Sequence, residues 1–447
     1  MEDQGEAIRL RPGSGGAFAS VWALAVPVSL EMAAIRLGQL LDLFWVGRLG
    51  AGALALVAMG LSLRWAASSL ASGLAAGGMA LVARANGEGN TRSIGVAAWQ
   101  TIMLTAALSL VLAGAGYALA APLLRLLGAT AELLPDGVVY LRVTLLGLVP
   151  LTFVYAVNAL LRATDQATRA VTLSALAVAL GAVLEPFLVL GWGPFAALGL
   201  TGAALATMTG QTAVALFQIV LLSLGKARLR LERRSLELSL SVMGRIIRIG
   251  ATASAELFLR AVSRLALIAI IAGYGVSALA GYAVANGILM GILVPSYALG
   301  HAGAALVLQG GGSSWLTRAL RRGWLAGALS TVYMMGAVGA LFPLAPQAIA
   351  AFNGDPALVA HGADALRIVS LGYISSSLGV VTAHTRGAAG EPAPPAAVNV
   401  LTLWGVQIPA AVLLGRLVGT SGVWLGLAIG AVINGVATSY WYRRDRG

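Results

Sequence analysis

The sequence contains no cysteine, which excludes disulfides, thiolate-ligated zinc and cysteine-held iron–sulfur clusters. Histidine is almost as scarce: His301, His361 and His384 stand far apart, and no HExxH zinc motif can be written. Charge is thin. Asp, Glu, Lys and Arg make up 10% of the 447 residues, where a soluble domain carries about 25%. So few charges cannot cover a surface that faces water, and 59% of the chain is apolar. Lipid must therefore be the solvent for most of it. No phosphate-binding P-loop is present, because Gly225-Lys226-Ala227 lacks both the upstream glycine and the hydroxyl residue. Gly191 to Ala196 and Gly273 to Ala278 satisfy GxGxx[GA], yet neither follows a strand, so no dinucleotide site is read there. No serine sits in GxSxG, and no nucleophile–base or metal constellation can be assembled, so neither an enzyme nor a cofactor is expected. The first twenty residues hold Glu2, Asp3, Glu6, Arg9 and Arg11 without an apolar run, and no cleavable signal peptide is expected.

What the chain has is long apolar stretches. Runs near 20–46, 54–83, 94–120, 137–161, 169–192, 198–224, 247–273, 277–309, 322–345, 361–385, 395–415 and 421–442 are each long enough to cross a bilayer. The expected fold is all-α, with twelve transmembrane helices. The excess of 29 Lys+Arg over 17 Asp+Glu could suggest a nucleic-acid partner in a soluble chain. Here it sorts by side instead. With the N-terminus inside, twenty of the basic residues fall in cytoplasmic segments and only Arg48, Arg125 and Arg416 opposite. That asymmetry supports twelve spans, both termini cytoplasmic, in the inner (plasma) membrane. The bilayer is then the expected surrounding, with no nucleic-acid partner.

An internal repeat divides the chain. Shifted by about 225 residues, Ser29-Leu30-Glu31 falls on Ser254-Ala255-Glu256, and Gly50 with Ala53-Leu54-Ala55 falls on Gly275 with Ala278-Leu279-Ala280. Six helices per half make the repeats parallel, with a cavity between them. The expected divisions are a cytoplasmic segment 1–19, an N-lobe 20–224, a charged inter-lobe loop 225–246, a C-lobe 247–442 and a basic tail 443–447. Small-residue spacings such as Gly73 and Gly77 suit close helix packing.

Ionisable residues at membrane depth cost about 2.5–3.5 kcal/mol each on insertion scales, so each is a functional candidate. They are Glu31, Arg36, Asp42, Arg64, Arg142 and Glu185 in the first half, and Glu256, Arg260, Arg264 and Arg367 in the second. Glu256 and Arg260 are four apart, share a helix face and are expected to pair. Arg142, near a helix end, could reach the interface. Asp42 has no basic residue at i±3 or i±4 and is the stronger candidate for a proton carrier. Pro27 and Pro186 mark places where a helix can bend.

Asp42 to Gly50 resembles the D-x-x-x-V-G-[RH]-L-G stretch of the multidrug and toxic compound extrusion (MATE) family. The segments 82–90, Leu161 to Gln166, and Glu185-Pro186 through Thr207 are similar to further motifs of that family, in order, and Arg386-Gly387 repeats the arginine motif. The resemblance spans about residues 18–442. It implies a V-shaped cavity between two six-helix bundles, and export of organic cations against inward proton or sodium flow by a monomer. Carried over residue by residue, Asp42 and Glu185 match coupling-ion acids of the N-lobe, and Asn158 matches an amide of that network. Glu256 matches a C-lobe glutamate, with Glu31, Arg36, Pro27 and Arg260 around the cavity. Gly181 stands where some members have Asn, and Ser375 stands where the NorM-type branch has an acid. The missing acid at Ser375 points to the DinF-like branch and to protons rather than sodium. The alternative within the superfamily is a flippase for a lipid-linked, phosphate-bearing headgroup, which Arg36, Arg64, Arg260, Arg264 and Arg367 motivate. A passive channel fits paired repeats with buried acids poorly.

Overall fold

A computed structural model describes residues 32–33, 35–224, 238–308, 313–389 and 393–444. Among the described residues it is all-helical. Helix α1 runs through 35–47, followed by α2 (Ala51–Gly87), α3 (Thr91–Ala118), α4 (Ala120–Leu126), α5 (Leu134–Leu146), α6 (Leu148–Ala163), α7 (Ala167–Leu190) and α8 (Gly199–Ser223). The second half contains α9 (Leu240–Ala272), α10 (Val276–Ile292), α11 (Val294–Leu308), α12 (Ser313–Ala350), α13 (Pro356–Ala388), α14 (Ala393–Thr402), α15 (Ile408–Val418) and α16 (Thr420–Arg444). Three expected spans are broken or jogged. The fourth passes through Gly147 between α5 and α6, the eighth through Leu293 between α10 and α11, and the eleventh through a π-helical turn at Leu403–Gln407 between α14 and α15.

Twelve spans result. Ten are continuous enough and apolar enough to be recognised by length and composition alone. The others are α1, whose start lies outside the described residues, and α9, which carries Arg245, Arg248, Glu256, Arg260 and Arg264. The charged segment expected at 225–246 ends earlier than anticipated, because α9 already begins at Leu240, capped by the Ser239 hydroxyl accepting from the Val242 N–H. Residues 225–237 of that segment lie outside the described residues.

The two halves repeat in detail. Gly50 (φ 109°) and Gly275 (φ 111°), one repeat apart, turn the chain into α2 and α10 with backbone angles that a side chain would strain. Arg142 lies over the Tyr117 ring at 4.7 Å, and its Nε donates to the Tyr117 carbonyl at 3.3 Å. Arg367 does the same one repeat later, its Nε donating to the Phe342 carbonyl at 3.0 Å under a ring 5.6 Å away. Arg142 is thus held by α3 rather than reaching freely for the interface.

The lobes meet along α2 and α9. Gly73 lies against the Ser254 backbone, Gly77 against the Ile246 carbonyl and Gly250, and the Ser254 hydroxyl donates to the Leu70 carbonyl at 3.0 Å. This seam belongs to the arginine-rich half of the bundle. At the arginine-poor end the Asn353 amide donates to the Gly47 carbonyl at 2.7 Å, and Phe44 meets Phe352 edge-on at 6.2 Å.

Candidate coupling site and interlobe cleft

Asp42 lies on the last turns of α1, and Glu185 is one turn and a half from the end of α7. Antiparallel placement in the N-lobe brings both to the same depth, where their carboxyl groups are neighbours. Glu185 is 2% exposed, and its Oε2 has no partner. Pro186 follows directly and leaves the Ala182 carbonyl without its intrahelical donor. Arg64 on α2 and buried Tyr140 on α5 stand within electrostatic reach of the pair. An aromatic cluster covers the arginine-poor side: Trp45 meets Trp192 at 5.4 Å, and Phe187 meets Trp192 at 6.4 Å and Phe195 at 6.3 Å. Two carboxyls so near each other, Glu185 buried and Asp42 half-buried, form a unit that takes up and releases protons rather than two independent charges.

Asn158 does not join this unit. Its amide donates to the Ser174 hydroxyl at 2.8 Å and its oxygen accepts from Gln218 at 2.9 Å. Ser174 lies eleven residues before Glu185 on α7, about 16 Å along the axis. The amide expected beside the acids instead ties α6, α7 and α8 together toward the arginine-rich end. Gly181 has a packing role, since Gly210 of α8 closes onto its backbone. Ser375 donates to the Val432 carbonyl at 3.2 Å and belongs to the α13–α16 contact.

In the C-lobe, Glu256 and Arg260 form the expected i,i+4 ion pair at 3.7 Å, with side chains 35% and 37% exposed. Arg264 continues this row. At 100° per residue Arg264 shares the side of Ile246, which packs on α2, while Arg260 and Glu256 turn progressively away from that ridge. Arg260 is in electrostatic reach of His384, whose ring meets His301 at 4.8 Å and Tyr297 at 5.9 Å. Arg36 of α1 donates to Gln39 Oε1 at 2.7 Å and stands within electrostatic reach of Tyr155 in its own lobe and of Arg264 and Tyr297 in the other. Pro27 and Glu31 lie outside the described residues. Tyr140 was not legible as a site residue, because a tyrosine in an apolar span gives no signal of its own; Arg64 was visible as an intramembrane charge.

Twelve spans in two repeated lobes, with ionisable groups buried in one lobe and lining the cleft, define a multi-pass membrane transporter. The MatE family model matches the chain twice, over residues 27–187 and 253–413, once per lobe. The chain belongs to the MatE family of multidrug transporters. It is 27% identical to the "Probable multidrug resistance protein YoeA" of Bacillus subtilis (strain 168), over 91% of this chain and 90% of that protein. It is 24% identical to the "FAD transporter" of Shewanella oneidensis, again over 91% and 90%. A solved multidrug resistance MATE family transporter of the MOP superfamily, in an inward-facing conformation, shares the fold with a TM-score of 0.83 at 22% identity, covering 94% of this chain and 97% of that one.

Proposed function

We propose that this chain is a secondary antiporter that exports small molecules by alternating access, driven by protons moving inward through Asp42 and Glu185. The observation that carries this reading is the carboxyl pair itself, brought together from α1 and α7 in the N-lobe beside Arg64. Two neighbouring carboxylates, one buried and one half-buried, cannot both stay ionised cheaply, so the pair holds a proton between them. Losing the proton separates the acids or draws in another cation. Asp42 sits on α1, whose end is bonded to the C-lobe through Asn353 and Gly47. A change at the pair is therefore passed to the contact that closes the arginine-poor end. Relatedness to a multidrug resistance protein supports drugs as cargo. The charge asymmetry supports a plasma-membrane location with the arginine-rich face in the cytoplasm.

Purified protein in sealed vesicles, given a pH gradient or a sodium gradient separately, tests this. A pH gradient alone should drive uptake of a fluorescent drug, and Asp42→Asn and Glu185→Gln should each abolish it. Transport that requires sodium, or that survives both substitutions, overturns the assignment.

A further inference from the structure

Helix α13 carries a stripe that the export cycle does not use. Asp364, Arg367, Ile368 and Leu371 stand at i, i+3, i+4 and i+7, so they share one side of the helix. That side lies roughly 140–240° round from Gly362, whose backbone meets Gly281 of α10 in the lobe interior. The stripe is therefore on the outside of the C-lobe, toward lipid, and Leu371 is 52% exposed. It runs into a groove of about 260 Å³ between α13 and α16, lined by Ile368, Leu371, Leu425, Ile429, Val432 and Ile433. Ser375 donates to the Val432 carbonyl at 3.2 Å, which sets the register of the two helices. The inner end of the groove is thus eight residues past Arg367, about 12 Å further from the arginine-poor end.

Arg367 stands at the other end of the groove. Its Nε is fixed on the Phe342 carbonyl of α12 at 3.0 Å, and among the described residues its terminal nitrogens have no acceptor. It is eleven residues from the start of α13, about 16 Å in from the arginine-poor end, and exposed Asp364 is one turn nearer that end. Among the described residues neither has an ion-pair partner. A guanidinium facing lipid is costly unless an anion meets it, and its fork matches phosphate. From the bilayer centre outward, this surface is apolar, then positive, then negative. A phospholipid with an ammonium headgroup runs acyl chain, phosphate, cation, in the complementary order. A purely anionic headgroup would set its charge against Asp364.

We infer that the α13–α16 groove, with Arg367 and Asp364 at its end, binds a zwitterionic phospholipid of the phosphatidylethanolamine type from the leaflet at the arginine-poor end. One acyl chain lies in the groove, the phosphate meets Arg367, and the primary ammonium donates to the Asp364 carboxylate. The N-lobe provides an internal comparison. Arg142 is held over Tyr117 in the same way, but Val139 stands where α13 has Asp364, so the second charge is missing there.

The test counts lipid retained by the full-length protein in native mass spectrometry, with dioleoyl phosphatidylethanolamine or dioleoyl phosphatidylglycerol added in detergent. Transport plays no part in this measurement, so its result is independent of the coupling assignment. The parent should retain one phosphatidylethanolamine in preference to phosphatidylglycerol. Arg367→Gln, and Ile429→Trp, which fills the groove, should each weaken that retention about tenfold, the usual scale for losing a charge-assisted hydrogen bond or an apolar site. Asp364→Asn should weaken it about threefold and remove the preference, as expected of an exposed ion pair. Arg142→Gln should leave the preference unchanged. Thermal melts in lipid-free detergent verify folding, and Ile429, 39% exposed, tests the groove if Arg367→Gln does not fold. Retention that survives either substitution in a folded variant overturns the site. Phosphatidylglycerol held by the parent as tightly as phosphatidylethanolamine overturns the headgroup assignment.

Discussion

Asp42 and Glu185 show what residue chemistry demands of neighbours. Either acid alone at this depth would be an expense; together, with Arg64 nearby, they form a small polar unit closed off by Trp45, Trp192 and Phe187. The Glu256–Arg260 pair differs, being a third exposed at each end and 3.7 Å apart. An ion pair so placed contributes no more than about 1 kcal/mol. Glu256→Gln should therefore change thermal stability little, and the double variant with Arg260→Gln should show a coupling energy below about 1 kcal/mol. A large loss rescued by the double variant would mean the pair is a structural strut. The two pinned arginines allow a paired prediction. Arg142→Ala and Arg367→Ala each remove a guanidinium from a carbonyl and a ring. Each should cost about 1–3 kcal/mol in denaturation measured in detergent, with similar losses in the two lobes.

Among the elements, the α2–α9 seam is set by glycine. A side chain at Gly77 would collide with the Ile246 carbonyl and Gly250, and one at Gly73 with Ser254. Small residues let backbones approach where lipid provides no hydrophobic drive for association. Gly77→Leu should therefore open the arginine-rich half, since the obstacle is backbone and cannot rotate away. Spin labels on α2 and α9 should report a longer distance in the variant than in the parent, and transport should fall with it. Unchanged distances would show that the seam tolerates a side chain by sliding. At the other end, Asn353→Ala removes the bond to the Gly47 carbonyl and should raise reactivity of a cysteine placed near Phe44.

For the whole molecule, the even number of spans per lobe puts both ends of each lobe on one face. The absence of native cysteine makes this directly testable. Single cysteines replacing exposed Ala167 and Ser241 should be shielded from a membrane-impermeant maleimide in intact cells, whereas those replacing exposed Ala131 and Ala357 should react. The reverse pattern would invert the topology, and a mixed one would break the helix count.

The sequence by itself determined the solvent, the number of spans and the repeat. Those depend on hydropathy, on loop charge and on spacing, all of which are local or additive along the chain. It also marked nearly every intramembrane charge, because each is costly enough to stand out against an apolar background. It could not say which charges meet. Asp42 and Glu185 are on helices separated by most of the N-lobe, and Asn158, a plausible third member by position, is carried about 16 Å away by the rise of α7. Tyr140 gives no signal until α5 packs against the acids. Only the tertiary structure brings Asn353 to the Gly47 carbonyl, since they belong to different lobes and no pattern within either lobe relates them. Contacts between lobes are decided by packing geometry, and that geometry decides which intramembrane charges find partners.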